Sequence, residues 1–241
     1  MREEPRDYRR IFKGEDLTYF TVRVKQTDVC IGAVHNLRKQ AEESIVKYRQ
    51  QVEDYIRRQP VFLESLVPIE PQDDAPVIIR HMCQASKSAG VGPMAAIAGA
   101  ISFYTAKDLL SSSSELVVEN GGDIYVAGAR ERRIGIFAGK STFTGKIGLI
   151  LKPEDLPISV CTSSGTVGHS LSFGCADAVV ILSRDACLAD ASATAIGNIV
   201  KTTEDIGTAL EKAQTIQGIL GALVIVGERM GAWGCVRLVK L

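Results

Sequence analysis

Three short stretches of this 241-residue chain concentrate residue types that bind anions and hard cations. The first is residues 119–125, Glu-Asn-Gly-Gly-Asp-Ile-Tyr. Its glycines accept positive φ and let a ligand reach backbone N–H groups without interference from a Cβ. Asn-Gly and Gly-Gly are equally strong signals for a plain hairpin turn, and local pattern favours the turn. The second is residues 161–170, Cys-Thr-Ser-Ser-Gly-Thr-Val-Gly-His-Ser, where hydroxyls and glycines gather around one of only three histidines. Backbone amides with the hydroxyls of Thr162, Ser163 and Ser164 and the amide of Gly165 make an anion cradle, and His169 can act as acid or base. A polar hairpin loop with a surface histidine explains the same residues. The third is residues 189–198, Ala-Asp-Ala-Ser-Ala-Thr-Ala-Ile-Gly-Asn. If this stretch is helical, Asp190 and Thr194 lie four residues apart on one face and offer hard oxygen ligands of the kind Mg²⁺ prefers. The plainer alternative is an Asp190 that caps the start of an alanine-rich packed helix.

Bulk properties narrow the field. Lys plus Arg and Asp plus Glu both number 28, so no overall charge favours nucleic acid or an anionic membrane. The chain is 46% hydrophobic and 23% charged, enough to build one sizeable core. Six cysteines are scattered without a CxxC pair, which predicts reduced thiols and a cytoplasmic protein. The N-terminus opens on charges rather than an apolar run, so it reads as lacking a secretory signal, and residues 1–15 read as a solvated arm. The small-residue stretch 89–106 is interrupted by Pro93, Ser102 and Thr105 and reads as a buried helix rather than a membrane span.

The elements that must position these stretches follow from periodicity. Residues 17–25 alternate apolar and polar, and with residues 27–33 predict a strand pair. Apolar Leu37, Ala41, Ile45, Tyr48, Val52, Tyr55 and Ile56 predict an amphipathic helix over 36–58, stopped by Pro60. Four prolines make 60–76 a connector, with helices over 76–88 and 94–110 beyond it. Strands are expected at 116–119, 123–127, 133–138, 145–150, 158–161 and 178–182, then helices at 190–200 and 203–217. A closing hairpin is expected with strands at 223–227 and 234–239. Grouped rather than strictly alternating elements predict an α+β fold, a single domain with a mixed or antiparallel sheet packed against helices.

Taken together and in order, the three stretches resemble the ApbE-like superfamily, whose characterised members are Mg²⁺-dependent transferases that move FMN from FAD to a threonine of a target protein. Residues 118–124 resemble the family's V-N-x-G-G-D-I turn. Residues 162–165 resemble its T-S-G element with one serine inserted, and residues 189–195 (ADASATA) its A-D-A-L-A-T-A metal motif. The resemblance covers roughly residues 90–200. It implies metal ligation by Asp190 and Thr194, with Ala95 standing where the family supplies a backbone carbonyl. It implies cofactor contacts from Asn120, Gly121, Gly122, Asp123, Thr162, Ser163, Ser164 and Gly165, and catalytic roles for His169 and Asp190. Mg²⁺ and FAD are the implied cofactors. The partners implied are a small-molecule dinucleotide and an acceptor protein, with no nucleic acid or membrane; a homo-oligomer is also compatible.

Two departures bear on the chemistry. The lysine of the family's A-K-G element is Ala96 here, and the H-I-I-D-P-x-T-G segment is shortened to residues 169–174. The expected activity is Mg²⁺-assisted phosphoryl chemistry on a dinucleotide pyrophosphate, as FMN transfer or FAD cleavage. The alternatives are a flavin- or nucleotide-holding protein without catalysis, and an accessory sulfur-handling protein using Cys161 or Cys175. Elsewhere, Trp233 reads as a packing anchor, His35 and His81 as structural or exposed, and Asp177 as a turn residue or a further ligand.

Overall fold

The structure is a computed structural model, and it describes residues 9, 14, 16–165 and 173–241. Residues of the expected N-terminal arm fall largely outside that range, as does His169.

Every pairing between described strands is antiparallel. Eight strands form the main sheet in the order β1-β2-β3-β4-β7-β8-β9-β10. They are β1 (Thr18–Val24), β2 (Thr27–Ala33), β3 (Leu116–Asn120), β4 (Asp123–Ala127), β7 (Ile158–Ser163), β8 (Ala178–Ser183), β9 (Ile219–Val226) and β10 (Arg229–Gly234). A second sheet of three strands, β5 (Arg132–Gly135), β6 (Ile147–Leu151) and β11 (Leu238–Lys240), has the order β11-β6-β5.

Period two in the strands divides the interior into two apolar layers. In β4, Tyr125 and Ala127 belong to the core under the helices, whereas Ile124 and Val126 face the small sheet. In β7, Cys161 falls on the helical side, and Ile158 and Val160 on the other. The chain is therefore three layers deep: helices, large sheet, small sheet.

Among the described residues, six α-helices make the first layer: α1 (Arg38–Arg58), α2 (Val61–Glu64), α3 (Val77–Ala89), α4 (Ile97–Leu109), α5 (Ala186–Ile199) and α6 (Ile206–Thr215). α1 buries Ala41, Ile45, Tyr48, Val52 and Tyr55, the stripe that its sequence spacing predicts. α5 is the central helix, packed on α3, α4, β7 and β8. No single helix among the described residues is long and apolar enough to cross a membrane. α3 and the segment from Pro93 to Leu109 bend by 105° relative to each other.

Several expectations change: the strand expected over 133–138 is β5, which ends at Gly135, and the helix expected over 190–200 begins at Ala186. The stretch read as one helix over 94–110 opens with a 3₁₀ turn, Pro93–Ala96, whose first residue Pro93 has its φ fixed; α3 has already ended at Gly90, at φ 78°. The connector 60–76 contains the short α2. The closing hairpin is shifted: β9 and β10 turn at Gly227, and Gly234 ends β10 rather than opening a strand. At Gly234 a Cβ would lie 2.2 Å from the Leu220 carbonyl oxygen, so the chain turns away there at φ 76°. It then crosses to the small sheet, where β11 pairs with β6.

Candidate metal and phosphate site

The site is built where the N-terminus of α4, the middle of α5 and the ends of β3, β4 and β7 converge. Helix α4 carries no side-chain cap of its own. The missing acceptor comes from α5: Asp190 Oδ2 accepts the Gly99 N–H at 2.8 Å, and its carboxylate also accepts from the Ala98 amide. Asp190 thus closes the first turn of a neighbouring helix. That corrects the alternative in which it caps its own, because the α5 cap is Asp185, which accepts from the Leu188 N–H at 3.1 Å. Helix α5 begins four residues earlier than 190, so Asp190 sits inside it and points across the helix pair.

The contact between α4 and α5 depends on Gly99. A Cβ there would stand 2.3 Å from the Ala186 carbonyl oxygen and 2.9 Å from Asp190 Cβ. Any larger residue would push apart the two helices whose closeness lets Asp190 reach the α4 amides.

Asp123 faces Asp190 from the sheet. It is the first residue of β4, and period two turns it to the helical side with Tyr125. Only 6% of its surface is exposed, and its Oδ1 has no partner among the described residues. The Cys161 thiol and the Thr162 amide hydrogen-bond its carboxyl. Burial pushes the Asp123 carboxyl well above the usual range, the Asp190 charge adds to this, and the thiol and amide bonds oppose it. Burial likewise raises Asp190 to about 7, against the pull of the Gly99 and Ala98 amides. Burial and the Asp190 charge on Asp123 therefore favour retention of a proton by the pair when no cation is bound.

The two-glycine turn lies beside this pair. Asn120 and Asp123 are directly opposed across β3 and β4, which leaves Gly121 and Gly122 as a two-residue turn at φ 70° and 103°. Only glycine adopts such φ values at no cost, and they belong to the turn type that suits hairpin twist. The Gly122 N–H donates to Glu119 Oε1 at 2.9 Å, so it is already committed to the protein. Asn120 donates to the Ala98 carbonyl at 3.3 Å and ties the turn to α4. Thr162 lies beside the turn, its Cβ 3.8 Å from where a Cβ on Gly122 would stand. Ser163, at the end of β7, faces α5 at Gly197, where Oγ would lie 3.3 Å from an added Cβ. Ser164 and Gly165 follow, with the Gly165 amide on the Ala176 carbonyl at 2.9 Å. Thr194 is half-buried one turn after Asp190 on α5. Ala95 sits in the 3₁₀ turn that packs against α5, with its own N–H on the Gly92 carbonyl.

Cys161 is buried, and burial followed by the Asp123 and Asp190 charges pushes its thiol well above the usual value. A sulfur-handling role for Cys161 needs a thiolate, and two carboxyls beside the thiol oppose one. Asp177 accepts the Gly227 amide at 2.7 Å, the turn role among its two readings. Trp233 packs half-buried against the helical core, and His35 is exposed.

The donor set fits a hard divalent cation. It offers the buried Asp123 carboxyl, one oxygen of which is orphaned, the half-buried Asp190 carboxyl, a hydroxyl one helical turn away, and the carbonyls of an adjoining turn. Sequence reading treated Asp123 as part of a phosphate turn and missed its pairing with Asp190. The signal was present: strand alternation puts Asp123 and Tyr125 on one face.

The chain belongs to the family described as AbpE bacteria, whose family model matches residues 9–231. It is 45% identical over 201 residues to the UPF0280 protein MJ1526 of Methanocaldococcus jannaschii, covering 81% of this chain and 82% of that one. It is 44% identical over 196 residues to a UPF0280 protein of Methanosarcina acetivorans, covering 80% and 77%. Among solved structures, the fold is similar to a mutant of flavin transferase ApbE from Vibrio cholerae. The TM-score there is 0.60 at 12% identity, over 90% of this chain and 97% of that one. The apbe protein of Thermotoga maritima aligns with TM-score 0.60 at 13% identity, over 89% and 96%. These likenesses establish the ApbE fold.

Proposed function

We propose that this chain uses Asp190 and Asp123 to hold Mg²⁺ against the pyrophosphate of a flavin dinucleotide, and that it cleaves that bond, passing FMN to a protein acceptor or to water. The observation that carries the reading is the pair made by the buried Asp123 carboxyl, with one orphaned oxygen, and the half-buried Asp190 carboxyl beside the N-terminus of α4. The likeness in fold to flavin transferases supports it.

The residues that would hold the ion are Asp190, Thr194, Asp123 and the Ala95 carbonyl. Bound there, the ion would neutralise the charge that builds on the phosphoryl oxygens. Within the protein, Asp190 orders the first turn of α4, and Asn120 fixes the glycine turn against it. The Gly121 amide and the hydroxyls of Thr162, Ser163 and Ser164 would bind phosphate oxygens, since the Gly165 and Thr162 amides are already engaged, and Asp123 would give up its proton as the cation binds. His169, outside the described residues, is the candidate for the proton on the attacking or leaving group.

A second reading, a flavin-holding protein without turnover, is favoured by two observations. Ala96 is fully buried where the family pattern has a lysine, and the Gly122 amide is already engaged. One experiment separates them: titration with FAD and Mg²⁺, following flavin fluorescence together with release of FMN or AMP. Mg²⁺-dependent release that is abolished by Asp190→Asn supports phosphoryl chemistry. Binding without release supports the holding protein, and absence of FAD binding overturns both.

A further inference from the structure

A second cluster of metal-binding residues lies one turn before Asp190 on the same helix and is not used by the site above. His81 on α3 and Asp185 and Cys187 at the start of α5 each offer one ligand atom, and these three atoms all lie within 4.8 Å of one another. His81 Nε2 and Asp185 Oδ1 are 2.9 Å apart. Cys187 is fully buried, His81 is half-buried, and the Asp185 side chain is 41% exposed. A soft donor therefore forms the floor, and two harder donors open toward solvent.

We propose that His81, Asp185 and Cys187 form a three-ligand site for a thiophilic divalent cation, Zn²⁺ above all, distinct from the hard-oxygen site at Asp190. Zinc bound by sulfur, nitrogen and oxygen at its usual lengths needs donor–donor separations of about 3–4 Å in a tetrahedron. The three atoms already lie near this range, and His81 and Asp185 need only part slightly. The donor types exclude Mg²⁺, which avoids thiolate and imidazole, and select zinc. Three protein ligands leave a fourth position for water on the exposed side.

Tyr104 completes the arrangement. Its hydroxyl lies 3.3 Å from His81 Nδ1. With a neutral imidazole and no metal, it donates to Nδ1, and the Nε2–H donates to Asp185. When the cation takes the Nε2 lone pair, the proton resides on Nδ1 and is donated to the Tyr104 oxygen, the outer contact that commonly orients a metal-bound imidazole. Binding also releases one proton from sulfur to solvent: the Cys187 S–H bond breaks and a sulfur–metal bond forms. Burial and the Asp185 and Asp190 charges keep Cys187 a thiol until then.

Co²⁺ is the probe. The full chain, stripped with chelator, is titrated with Co²⁺ and then with Zn²⁺. One equivalent of Co²⁺ should give a thiolate-to-cobalt charge-transfer band and the d–d bands of a tetrahedral ion, both erased by one equivalent of Zn²⁺ and unaffected by excess Mg²⁺. Cys187→Ser should remove the charge-transfer band, and His81→Gln should weaken Co²⁺ binding roughly tenfold or more. Asp190→Asn should leave the bands intact, so failure of the flavin reading does not touch this one. Absence of the band in the unsubstituted protein overturns the site. So does a band that survives Cys187→Ser but is lost on Cys175→Ser or Cys235→Ser. Should Cys187→Ser fail to fold, unchanged Co²⁺ affinity in folded His81→Gln, verified by circular dichroism, is equally decisive.

Discussion

Replacing Asp190 by asparagine should make the metal-free protein less sensitive to pH between about 4 and 7. The folded-state affinity of Asp190 for its proton is raised from 3.8 to about 7. A carboxyl raised in this way contributes stability in its protonated form, fully present below pH 4 and lost as pH rises through about 7. Each tenfold change in proton affinity corresponds to about 1.4 kcal/mol, so the full loss is on the order of 4 kcal/mol. Asp190→Asn removes this titration while keeping an amide oxygen for the Gly99 and Ala98 N–H groups. It also lowers the Asp123 carboxyl, which no longer faces a charge, although burial still holds that group high. Flattening is therefore partial. The carboxyls held low, Asp16, Glu53, Asp108, Asp185 and Asp205, act below about pH 4 and give the opposite slope there. The assay is urea denaturation of the unsubstituted protein and the variant at closely spaced pH values, in chelator. Saturating Mg²⁺ should then restore stability near pH 8 in the unsubstituted protein alone. Identical pH profiles in the two proteins would refute the raised proton affinity of Asp190 and its pairing with Asp123.

Other perturbations separate structural from chemical roles. Gly99→Ala should cost about 1–3 kcal/mol by urea denaturation, because its Cβ would meet the Ala186 carbonyl at 2.3 Å and part α4 from α5. Arg132→Ala should cost on the order of 3–5 kcal/mol, read as a fall in urea midpoint, since the buried guanidinium bridges Asp16 and Glu115 and its loss leaves Glu115 uncompensated. Asp185→Ala removes the α5 cap and the His81 partner and should cost about 1–2 kcal/mol near neutral pH. Burial acts to raise that carboxyl, but the His81 bond and charge hold it below its usual value. The penalty should therefore shrink as pH falls below about 4, and thermal melts at pH 7 and pH 3 read the difference.

Much of this architecture is legible in local pattern. The stripe from Ala41 to Tyr55 specifies α1 because its spacing of three and four leaves one apolar face. The glycine pair at 121–122 specifies the β3–β4 turn because few other residues adopt those φ values. Helix and strand ends moved where a long-range contact outweighs local preference. Gly234 reads as the start of a strand, yet the carbonyl of Leu220 lies too close for any side chain and the strand stops there.

The candidate site divides along the same line. The sequence by itself determined which residues have the right chemistry and, for Asp190 and Thr194, that they share a helical face, since both facts follow from residue type and a fixed 3.6-residue period. Only the tertiary structure decided what Asp190 does with its carboxylate, because the Gly99 amide it caps belongs to α4, 91 residues away in the chain. The pairing of Asp190 with Asp123, and the grouping of His81 with Asp185 and Cys187, are likewise set by how α5 packs on β4, β7 and α3. No local period encodes such meetings. They follow from burial of the apolar faces of several elements at once, and the proton affinities that result from that burial exist only in the assembled fold.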